Sequence, residues 1–583
     1  MGISLLAIAI VLTLFAGRLV QIQGMEAAYY SKKASSEKVK TIPLPALRGT
    51  VYGANGQVLA MTIAQYTVWA DPPQITAASK PAVAQQLAGP LGLPAAQILH
   101  LLEHPSSPDY VQLASDVSAT SDAQIEALTA YNAGIYDTLP DGLSPKYVPA
   151  YPDGNATANV VGFENVSGSG AISGQAGIEH EYDKLLSGTP GSEVVETQAD
   201  NTPIYPAIAQ TPAVNGSGIK LTIVPALQLQ AQQACQQEVK KSQAKQCTVV
   251  IIAPKTGDIL AMAQWPTYNQ QHIVNLQDTT NIAVQDVFAP GSTAKVITAA
   301  AAFEHGGLTP MSSFSIPYRI YRGGQSIQDA EWHVDEHYTI AGIIANSSNV
   351  GMSQVVGYVS PQIQYDYLRK FGLDEPTGLN LPGESMGLLP TPSQWAGDER
   401  YTLSYGQGID VNAVQMASVY ATIANDGVRV QPRLVAGTYN AAGHYTPAPP
   451  SKSTRVIKVK TAKELISILQ QVPGVDNAAN QPWGDIPGYA VAAKTGTANE
   501  PGRSCQGNTL CEYGASFIGM APGNGPQLVV SVNVQDPNKK TGQYFGDMVA
   551  GPVFYGVMKN ALQTEQILPQ PGLVAPYVRL NAR

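Results

Sequence analysis

The chain has 583 residues, of which 44% are hydrophobic and 13% charged, and its formal net charge is -9. This length is too great for one hydrophobic core and predicts several domains, while the 54 glycines and 43 prolines indicate many turns in a globular chain rather than a disordered one. The acidic balance offers no basic surface for a polyanion, so we expect no nucleic-acid partner.

An apolar segment begins the chain. Residues 3–17 carry no charge, and the run extends to Ile22 if Arg18 reaches the membrane surface with its guanidinium group. About 20 apolar residues suffice to span a bilayer. We therefore expect residues 1–22 to form a transmembrane anchor, and an uncleaved one, because no small-x-small cleavage site follows. A buried helix is the alternative.

Charges and cysteines give opposite indications about the side of the membrane on which the body of the protein lies. Arg18 and four lysines between residues 32 and 40 follow the start of the apolar segment, which favours a cytoplasmic body. The cysteines form two local pairs, Cys235 with Cys247 and Cys505 with Cys511, typical either of disulfides outside the cytoplasm or of buried thiols. An upstream start codon with a basic leader would resolve the conflict.

Residues 23–215 form the next predicted unit. They are rich in Ala, Pro, Gly and Ser and show only weak periodicity. Helical patterns occur over residues 121–131 and 177–186, and the second of them places four apolar side chains on one face. The composition changes at Asn215–Gly218, where we expect a domain boundary.

Residues 216–562 show strand and helix patterns in an informative order. A helix over 226–240 precedes two strands, a long and largely helical middle follows, and three strands close the unit. The predicted strands cover residues 248–253, 259–264, 489–497, 515–521 and 527–534, with a hairpin turn at 254–258. The order predicts an α+β domain in which a five-stranded antiparallel sheet is flanked by helices and carries an all-helical insert. The Pro-rich residues 563–583 predict an extended tail.

Three Ser-x-x-Lys tetrads occur, beginning at Ser35, Ser242 and Ser292. Residues at i and i+3 share one helix face, so each tetrad places a hydroxyl and an amine one turn apart. Only Ser292 follows a Pro-Gly turn that can begin a helix, and only Lys295 precedes an apolar run that would bury that helix. We predict Ser292 as a nucleophile with Lys295 as its base, and solvated surface positions for Ser35 and Ser242.

Lys-Thr-Gly also occurs three times, at Lys255, Lys494 and Lys540. The first lies in the hairpin turn and the third in a polar loop. Lys494 instead ends an apolar strand and continues as Thr495-Gly496-Thr497. Alternate side chains of a strand point to opposite faces, and a glycine leaves the backbone open to a ligand.

Ser347 and Asn349 follow a helical pattern over residues 339–345. Alone they would most often be a helix cap or a turn. A second Ser-x-Asn, Ser531 with Asn533, lies within a predicted strand, and we interpret it as structural. In company with the other two motifs, Ser347 and Asn349 become candidate site residues.

The order Ser292, Ser347, Lys494 resembles the signature of the penicillin-recognising serine transferases and hydrolases. Three further segments, Arg48–Ala60, Gly177–Gly191 and Leu403–Gly408, are similar to those of class B penicillin-binding proteins, the monofunctional cell-wall transpeptidases. Gly53-Ala54 replaces the usual Asp-Arg, and Val224 stands where the family usually has Asp.

The resemblance implies a site and a mechanism. Ser292 would attack the penultimate carbonyl of a D-Ala-D-Ala stem peptide, and Lys295 would take its proton only if neutral, a state favoured by burial and by a nearby cation such as Lys494. Ser347 would relay a proton to the leaving nitrogen and Asn349 would position Lys295. The resemblance also implies that the N–H groups of Ser292 and Thr497 hold the oxyanion. Lys494, Thr495 and Thr497 would bind the terminal carboxylate, and Gly496 would leave the backbone open to the substrate.

The resemblance also implies partners and a location. Beta-lactams would acylate the serine, and a membrane glycan polymerase with division or elongation proteins would be partners. The catalytic domain would be extracytoplasmic, joined to a single-pass anchor by an elongated pedestal or dimerisation module. We expect no cofactor, and no metal because neither CxxC pairs nor HExxH occur.

Two alternatives remain. A D,D-carboxypeptidase or beta-lactamase would use water to clear the acyl-enzyme, and Glu375 is the one lookalike of the water-activating glutamate. A non-catalytic beta-lactam sensor or scaffold would bind without turnover.

Cys505 and Cys511 bracket a loop beside the Lys494 strand. We predict that they form a disulfide, with buried thiols as the alternative.

Overall fold

The protein is described by a computed structural model that covers residues 2–29, 39–129, 131, 133–137, 145–166, 172–197, 203–478, 483–499, 513–570 and 575–582. Its first helix, α1, spans Gly2–Val20 and continues as a π-helix over Gln21–Met25. Within the described residues this is the one helix long and apolar enough to cross a membrane, with a mean hydropathy of 1.6 over Ile8–Met25.

The region before residue 215 consists of short strands and helices. Its strands are β1 Val39–Leu44, β2 Val51–Tyr52, β3 Val58–Ala70, β4 Val111–Ser118, β5 Ile135–Tyr136, β6 Lys146–Ala150, β7 Glu164–Val166, β8 Ile172–Gly174, β9 Gly191–Thr197 and β10 Pro203–Thr211. Its helices are α2 Lys80–Leu91, α3 Ala95–Glu103, α4 Ala119–Glu126, α5 Ala158–Val161, α6 Gly177–Glu181 and α7 Asp183–Leu186.

Both helices predicted in this region are shorter than expected. The pattern over 121–131 forms helix only to Glu126, because Ile125 is the single apolar side chain that α4 buries. The pattern over 177–186 is divided at Tyr182, whose φ of -105° lies outside the helical range. Ile178 and Leu186 are nevertheless buried together, so the apolar face exists although the helix is interrupted.

The region after residue 215 contains the larger sheet and most of the helices. Its strands are β11 Gly218–Leu221, β12 Gln246–Ala253, β13 Asp258–Trp265, β14 Ser313–Ile316, β15 Arg319–Arg322, β16 Gln325–Gln328, β17 Glu336–Thr339, β18 Val428–Val430, β19 Val435–Tyr439, β20 Tyr445–Pro447, β21 Ser453–Arg455, β22 Ala492–Asn499, β23 Tyr513–Ala521 and β24 Leu528–Gln535. Its helices are α8 Pro225–Ser242, α9 Ile282–Gln285, α10 Lys295–His305, α11 Ile340–Ala345, α12 Asn349–Val355, α13 Pro361–Lys370, α14 Glu399–Leu403, α15 Ala413–Ala424, α16 Val459–Leu469, α17 Val472–Ala478 and α18 Gly546–Thr564.

The central antiparallel sheet has the strand order β13-β12-β24-β23-β22. Strand β12 is apolar from Val249 onward because both of its faces are covered: Val249 and Ile251 belong to the core shared with α8 and α18, and Val250 belongs to the core on the opposite side. On the α18 side, the rings of Phe554 and Phe517 pack with centroids 4.6 Å apart. Strand β22 is the edge strand of this sheet, and its neighbours beyond that edge form the candidate site.

The fold class is the α+β class that the sequence predicts, but the insert between β13 and β22 is not all helical. It also contains short antiparallel pairs, β14 with β17, β15 with β16, and β18 with β21. Strands of three or four residues are too short for their alternation to be recognised in a sequence. In addition, β19 and β20 extend an eight-stranded sheet that includes β2, β3 and β4 from before the predicted boundary.

Cys235 and Cys247 form a disulfide between α8 and β12, with Cα atoms 5.3 Å apart. The sequence left this pair open between a disulfide and thiols. The bond fixes the helix to the strand it covers. The predicted Cys505–Cys511 pair lies outside the described residues.

Candidate active site

Ser292 lies in a 3-10 turn, Gly291–Ala294, that leads directly into α10. Gly291 has a φ of +54°, and a Cβ at this position would lie 3.0 Å from the Cβ of Ala498 on β22. Glycine is therefore required both by the backbone conformation and by the close approach to the strand. On the opposite side, the Gly291 N–H donates to the Gly406 carbonyl at 2.9 Å, which places the 403–408 segment against this turn.

Lys295 is the first residue of α10, and its side chain is fully buried. Its Nζ donates to the Ser347 carbonyl oxygen and, at 2.8 Å, to Oδ1 of Asn349. Burial, followed by the positive charge of Lys494, lowers the pKa of Lys295 well below its usual value, against a smaller opposing effect of Asp329. The amine is thus held in surroundings that favour its neutral form.

Ser347 lies between the two lysines. Its Oγ is 3.1 Å from Nζ of Lys494 and 3.4 Å from Nζ of Lys295. Its φ of +58° is uncommon for a residue other than glycine, and such strain is typical of functional sites. The strained turn joins α11 to α12, so that Ser347 and Asn349 project toward the same amine.

Asp329 is a residue of this site that the sequence analysis missed. Its side chain is buried, and Oδ1 accepts hydrogen bonds from the N–H groups of Asn349 at 2.5 Å and Val350 at 2.9 Å. Oδ2 accepts from the Ser348 hydroxyl at 2.7 Å and lies 3.1 Å from Nε2 of His333. The carboxylate therefore fixes the first turn of α12. Nothing in its sequence context marks it, because it reaches the Ser-x-Asn motif from a separate loop.

Strand β22 carries the Lys-Thr-Gly-Thr motif along the edge that faces the Ser292 turn. Lys494 is fully buried, and its Nζ also donates to Oγ1 of Thr495 at 3.3 Å. A Cβ at Gly496 would lie 3.0 Å from the Pro290 carbonyl oxygen, so glycine lets the strand and turn meet. Oγ1 of Thr497 accepts the N–H of Gly546, the first residue of α18, at 3.0 Å.

All eight residues predicted from the sequence surround one site. Contacts join Lys295, Ser347, Asn349 and Lys494 directly, while Ser292 and the strand residues meet through the glycines just described. Among the described residues, the Ser292 hydroxyl has no hydrogen-bonding partner. It is half-buried in the turn that packs against the edge strand β22.

The Ser242 tetrad and the second Ser-x-Asn lie away from this site. The prediction that Ser242 is solvated is wrong: it is fully buried and donates to the Glu238 carbonyl at 2.7 Å, because the end of α8 packs onto the sheet. Asn533 is buried within β24 and donates to Ser516 at 2.9 Å, which agrees with a structural interpretation. Ser35 lies outside the described residues.

One acidic cluster has the ligand types of a metal site. Oxygen atoms of Asp122, Glu126 and Asp137 lie within 4.8 Å of one another, on α4 and next to β5, away from the elements that carry Ser292. Burial and then the charge of Asp137 raise the pKa of Asp122 to about 7, and the Tyr131 hydroxyl donates to Asp137 at 2.6 Å.

Two sequence families match the chain. The family described as penicillin binding protein transpeptidase domain matches residues 247–559, and the penicillin-binding protein dimerisation domain matches residues 43–221. Penicillin-binding protein PbpB of Mycobacterium tuberculosis is 32% identical, with 97% of this chain and 85% of that protein covered. Peptidoglycan D,D-transpeptidase FtsI of Escherichia coli K12 is 29% identical, with 97% and 91% covered.

Solved structures agree with these matches. A peptidoglycan synthetase from Bifidobacterium adolescentis has a TM-score of 0.72 at 28% identity, covering 94% of this chain and all of that chain. Penicillin binding protein 3 from Mycobacterium tuberculosis, solved with ampicillin, has a TM-score of 0.71 at 28% identity, covering 93% of this chain and all of that one. The chain therefore belongs to the penicillin-binding proteins that carry a transpeptidase domain. The dimerisation-domain match and the relatives that match over nearly the whole chain are typical of class B penicillin-binding proteins, as the resemblance implied.

Proposed function

We propose that the chain is a membrane-anchored serine D,D-transpeptidase, which cross-links peptidoglycan stem peptides through an acyl-enzyme on Ser292. The observation that carries this proposal is the environment of Lys295. A neutral amine has two N–H donors and one lone pair. Here two donors have acceptors in the Ser347 carbonyl and Asn349 Oδ1, and Ser347 Oγ is a third, longer neighbour at 3.4 Å. Burial and the charge of Lys494 lower the pKa of Lys295, and the lone pair of the neutral amine would take the Ser292 proton as the substrate binds.

The proposed acylation uses these groups in turn. As Ser292 Oγ attacks the penultimate carbonyl of the stem peptide, Lys295 takes its proton, and the peptide bond to the terminal D-Ala breaks. Ser347 Oγ accepts from Lys494 Nζ, which leaves its own proton to be donated to the leaving nitrogen. Lys494 and Lys295 stand on either side of this hydroxyl and can replace the proton that it gives away.

The edge strand supplies the remaining groups. The backbone N–H groups of Ser292 and Thr497 would hold the oxyanion, donors that need no reorganisation in the transition state. The substrate carboxylate would lie against Lys494, Thr495 and Thr497. Because Thr497 Oγ1 already accepts the Gly546 N–H, its own proton is free to be donated to that carboxylate. Beta-lactams present the same carbonyl and carboxylate, and would acylate the same serine.

A hydrolytic outcome receives no support from Glu375. Its carboxylate pairs with Arg429, and its carbonyl oxygen accepts from Gln415 at 3.0 Å. Among the described residues, it has no hydrogen bond to the Ser292, Ser347 or Lys494 groups. A carboxylate so engaged is not positioned to activate water at Ser292.

We also propose the organisation of the chain around this activity. Residues 1–22 are the single-pass anchor, 23–215 an elongated pedestal or dimerisation module, 216–562 the catalytic domain and 563–583 an extended tail. An extracytoplasmic catalytic domain is supported by the Cys235–Cys247 disulfide, since such bonds persist in oxidising compartments. A membrane glycan polymerase and proteins of division or elongation would be partners.

The test is a product analysis with the full chain in detergent. It is incubated with a stem peptide ending in D-Ala-D-Ala and with an amine acceptor, and D-Ala and cross-linked peptide are measured. We expect equivalent amounts of both products, and neither product with Ser292→Ala. Release of D-Ala without cross-linked peptide would assign a carboxypeptidase, and covalent penicillin binding without turnover of a peptide would assign a sensor or scaffold.

A further inference from the structure

The segment 575–582 lies as a strap along the insert of the catalytic domain. The Leu580 carbonyl accepts the N–H of Thr339 at 2.9 Å, and the N–H of Ala582 donates to the His337 carbonyl at 2.8 Å. These bonds pair the strap antiparallel to β17, opposite Tyr338. Val578 and Leu580 are half-buried against the core, so the strap is held by side chains as well as by the backbone.

The strap meets α11 at its first turn. Thr339, the N-cap of α11, donates through Oγ1 to the Arg579 carbonyl at 2.6 Å. At Gly342 the Leu580 carbonyl comes so close that a Cβ would lie 2.1 Å from its oxygen. Glycine is one of the weakest helix formers, and its presence in the middle of a six-residue helix fits this close approach of the strap.

Helix α11 connects the strap with the candidate site in one turn. All six of its residues are buried. The Gly342 carbonyl accepts the N–H of Asn346 at 2.9 Å, and the Ile344 carbonyl accepts the N–H of Ser347 at 3.1 Å. A displacement of α11 is therefore passed directly to Ser347, the hydroxyl that lies between the two lysines.

We infer that the 575–582 strap is a positioning element, which holds α11 so that Ser347 and Asn349 lie in reach of Lys295 and Lys494. The inference rests on the proposed function, because it assigns the strap an effect on acylation. It predicts that loss of the strap slows the chemical step in each folded molecule, rather than only reducing the number of folded molecules.

The experiment compares the full chain with a truncation after Gln570, both in detergent, using a fluorescent penicillin. Stopped-flow labelling gives the acylation rate constant, the dissociation constant of the initial complex and the burst amplitude. We expect the rate constant of the truncated chain to fall about tenfold with the dissociation constant nearly unchanged, since small misplacements of catalytic groups act on the chemical step. A lower amplitude with the parental rate constant would overturn the inference.

A glycine substitution tests the same contact without deletion. Gly342→Ala should displace the Leu580 carbonyl and lower the rate constant by about as much as truncation, although alanine favours a helix. In the truncated chain Gly342→Ala should cost much less than in the full chain, because the Leu580 carbonyl is gone and Tyr338, whose Cβ would lie 3.2 Å from the new Cβ, is the remaining close contact. Gly357→Ala is the matched control, since nothing lies within 4 Å of a Cβ there, and it should leave the rate constant unchanged. If Gly342→Ala in the full chain keeps the parental rate constant, the inference is wrong, even where the truncated chain fails to fold.

A synthetic peptide of residues 575–582 provides a rescue. Added to the truncated chain at increasing concentration, it should restore the rate constant along a saturation curve, and a peptide of the same composition in scrambled order should not. Absence of rescue by a peptide that binds with saturation would contradict the inference. Failure of the proposed function itself is distinguishable, because Ser292→Ala would then still be labelled by the penicillin.

Discussion

The tetrads at Ser242 and Ser292 have the same spacing and opposite surroundings. Ser242 ends α8, and the left-handed Gln243 that follows stops the helix before Lys245, which is exposed. Ser292 lies in the 3-10 turn that leads without interruption into α10 at Lys295, and this lysine is fully buried among carbonyl and amide acceptors.

The difference shows what the tetrad itself contributes. Spacing places a hydroxyl and an amine on one helix face only where the helix continues between them. Reactivity further requires that the lysine lose its solvation and find acceptors for its N–H groups, which depends on residues from other parts of the chain. Ser242 is more deeply buried than Ser292, but its hydroxyl donates to the Glu238 carbonyl within its own helix, and Lys245 remains in solvent.

The largest expected difference in penicillin labelling is between substitutions of the two serines. Ser292→Ala should reduce covalent labelling by a fluorescent penicillin by at least about 10³-fold, because no other group supplies the nucleophile. Ser242→Ala should leave labelling unchanged. Labelling is measured on gels after normalisation for folded protein. Equal loss of labelling in both variants would remove the distinction between the two tetrads.

Substitutions of the two tetrad lysines, Lys295 and Lys245, should likewise differ in their effect on the acylation rate. Lys295→Met should slow acylation by about 10²–10⁴-fold, the range typical for removal of a general base. Lys245→Met, at an exposed position, should have no effect. Stopped-flow acylation rates decide between the outcomes, and a Lys295→Met protein that is acylated at the parental rate would show that Lys295 is not the base.

The pH dependence of acylation tests whether the surroundings of Lys295 lower its pKa. Burial and the charge of Lys494 lower the pKa of Lys295, so the neutral, proton-accepting form is present at lower pH than for an ordinary lysine. The rate constant should rise about tenfold per pH unit below this pKa and become constant above it, well below the value of about 10.4 for a free lysine. A rate that still increases as the pH approaches 10 would contradict a lowered pKa.

Asp329 should have a smaller effect. Asp329→Asn keeps the shape but loses the charge that accepts the N–H groups of Asn349 and Val350, so acylation should slow about tenfold, as expected for a hydrogen bond to a charged group. Glu375→Gln, which breaks the ion pair with Arg429 away from the site, is the matched control. Equal rate constants for both variants would show that Asp329 has no positioning role.

Sequence reasoning succeeded where the information is local. The apolar helix after Ser292, the strand that carries Lys494 and the turn after α11 are each recognisable within about ten residues. The predicted strand 489–497 is shifted in the structure, because β22 begins at Ala492 and runs through Lys494 to Asn499. Asp329 and the 575–582 strap could not be predicted, because they reach α11 and α12 from distant parts of the chain and follow no spacing rule. The burial of Ser242 was missed for the same reason: only the packed sheet shows that the end of α8 is covered.

The most direct test maps the acyl group in the unmodified protein. The chain is incubated with a beta-lactam, digested, and its peptides are sequenced by mass spectrometry. A single adduct on Ser292, with unmodified Ser242 in the same digest, is the result that the account predicts. An adduct on any other residue, or no adduct on a folded protein, would contradict it.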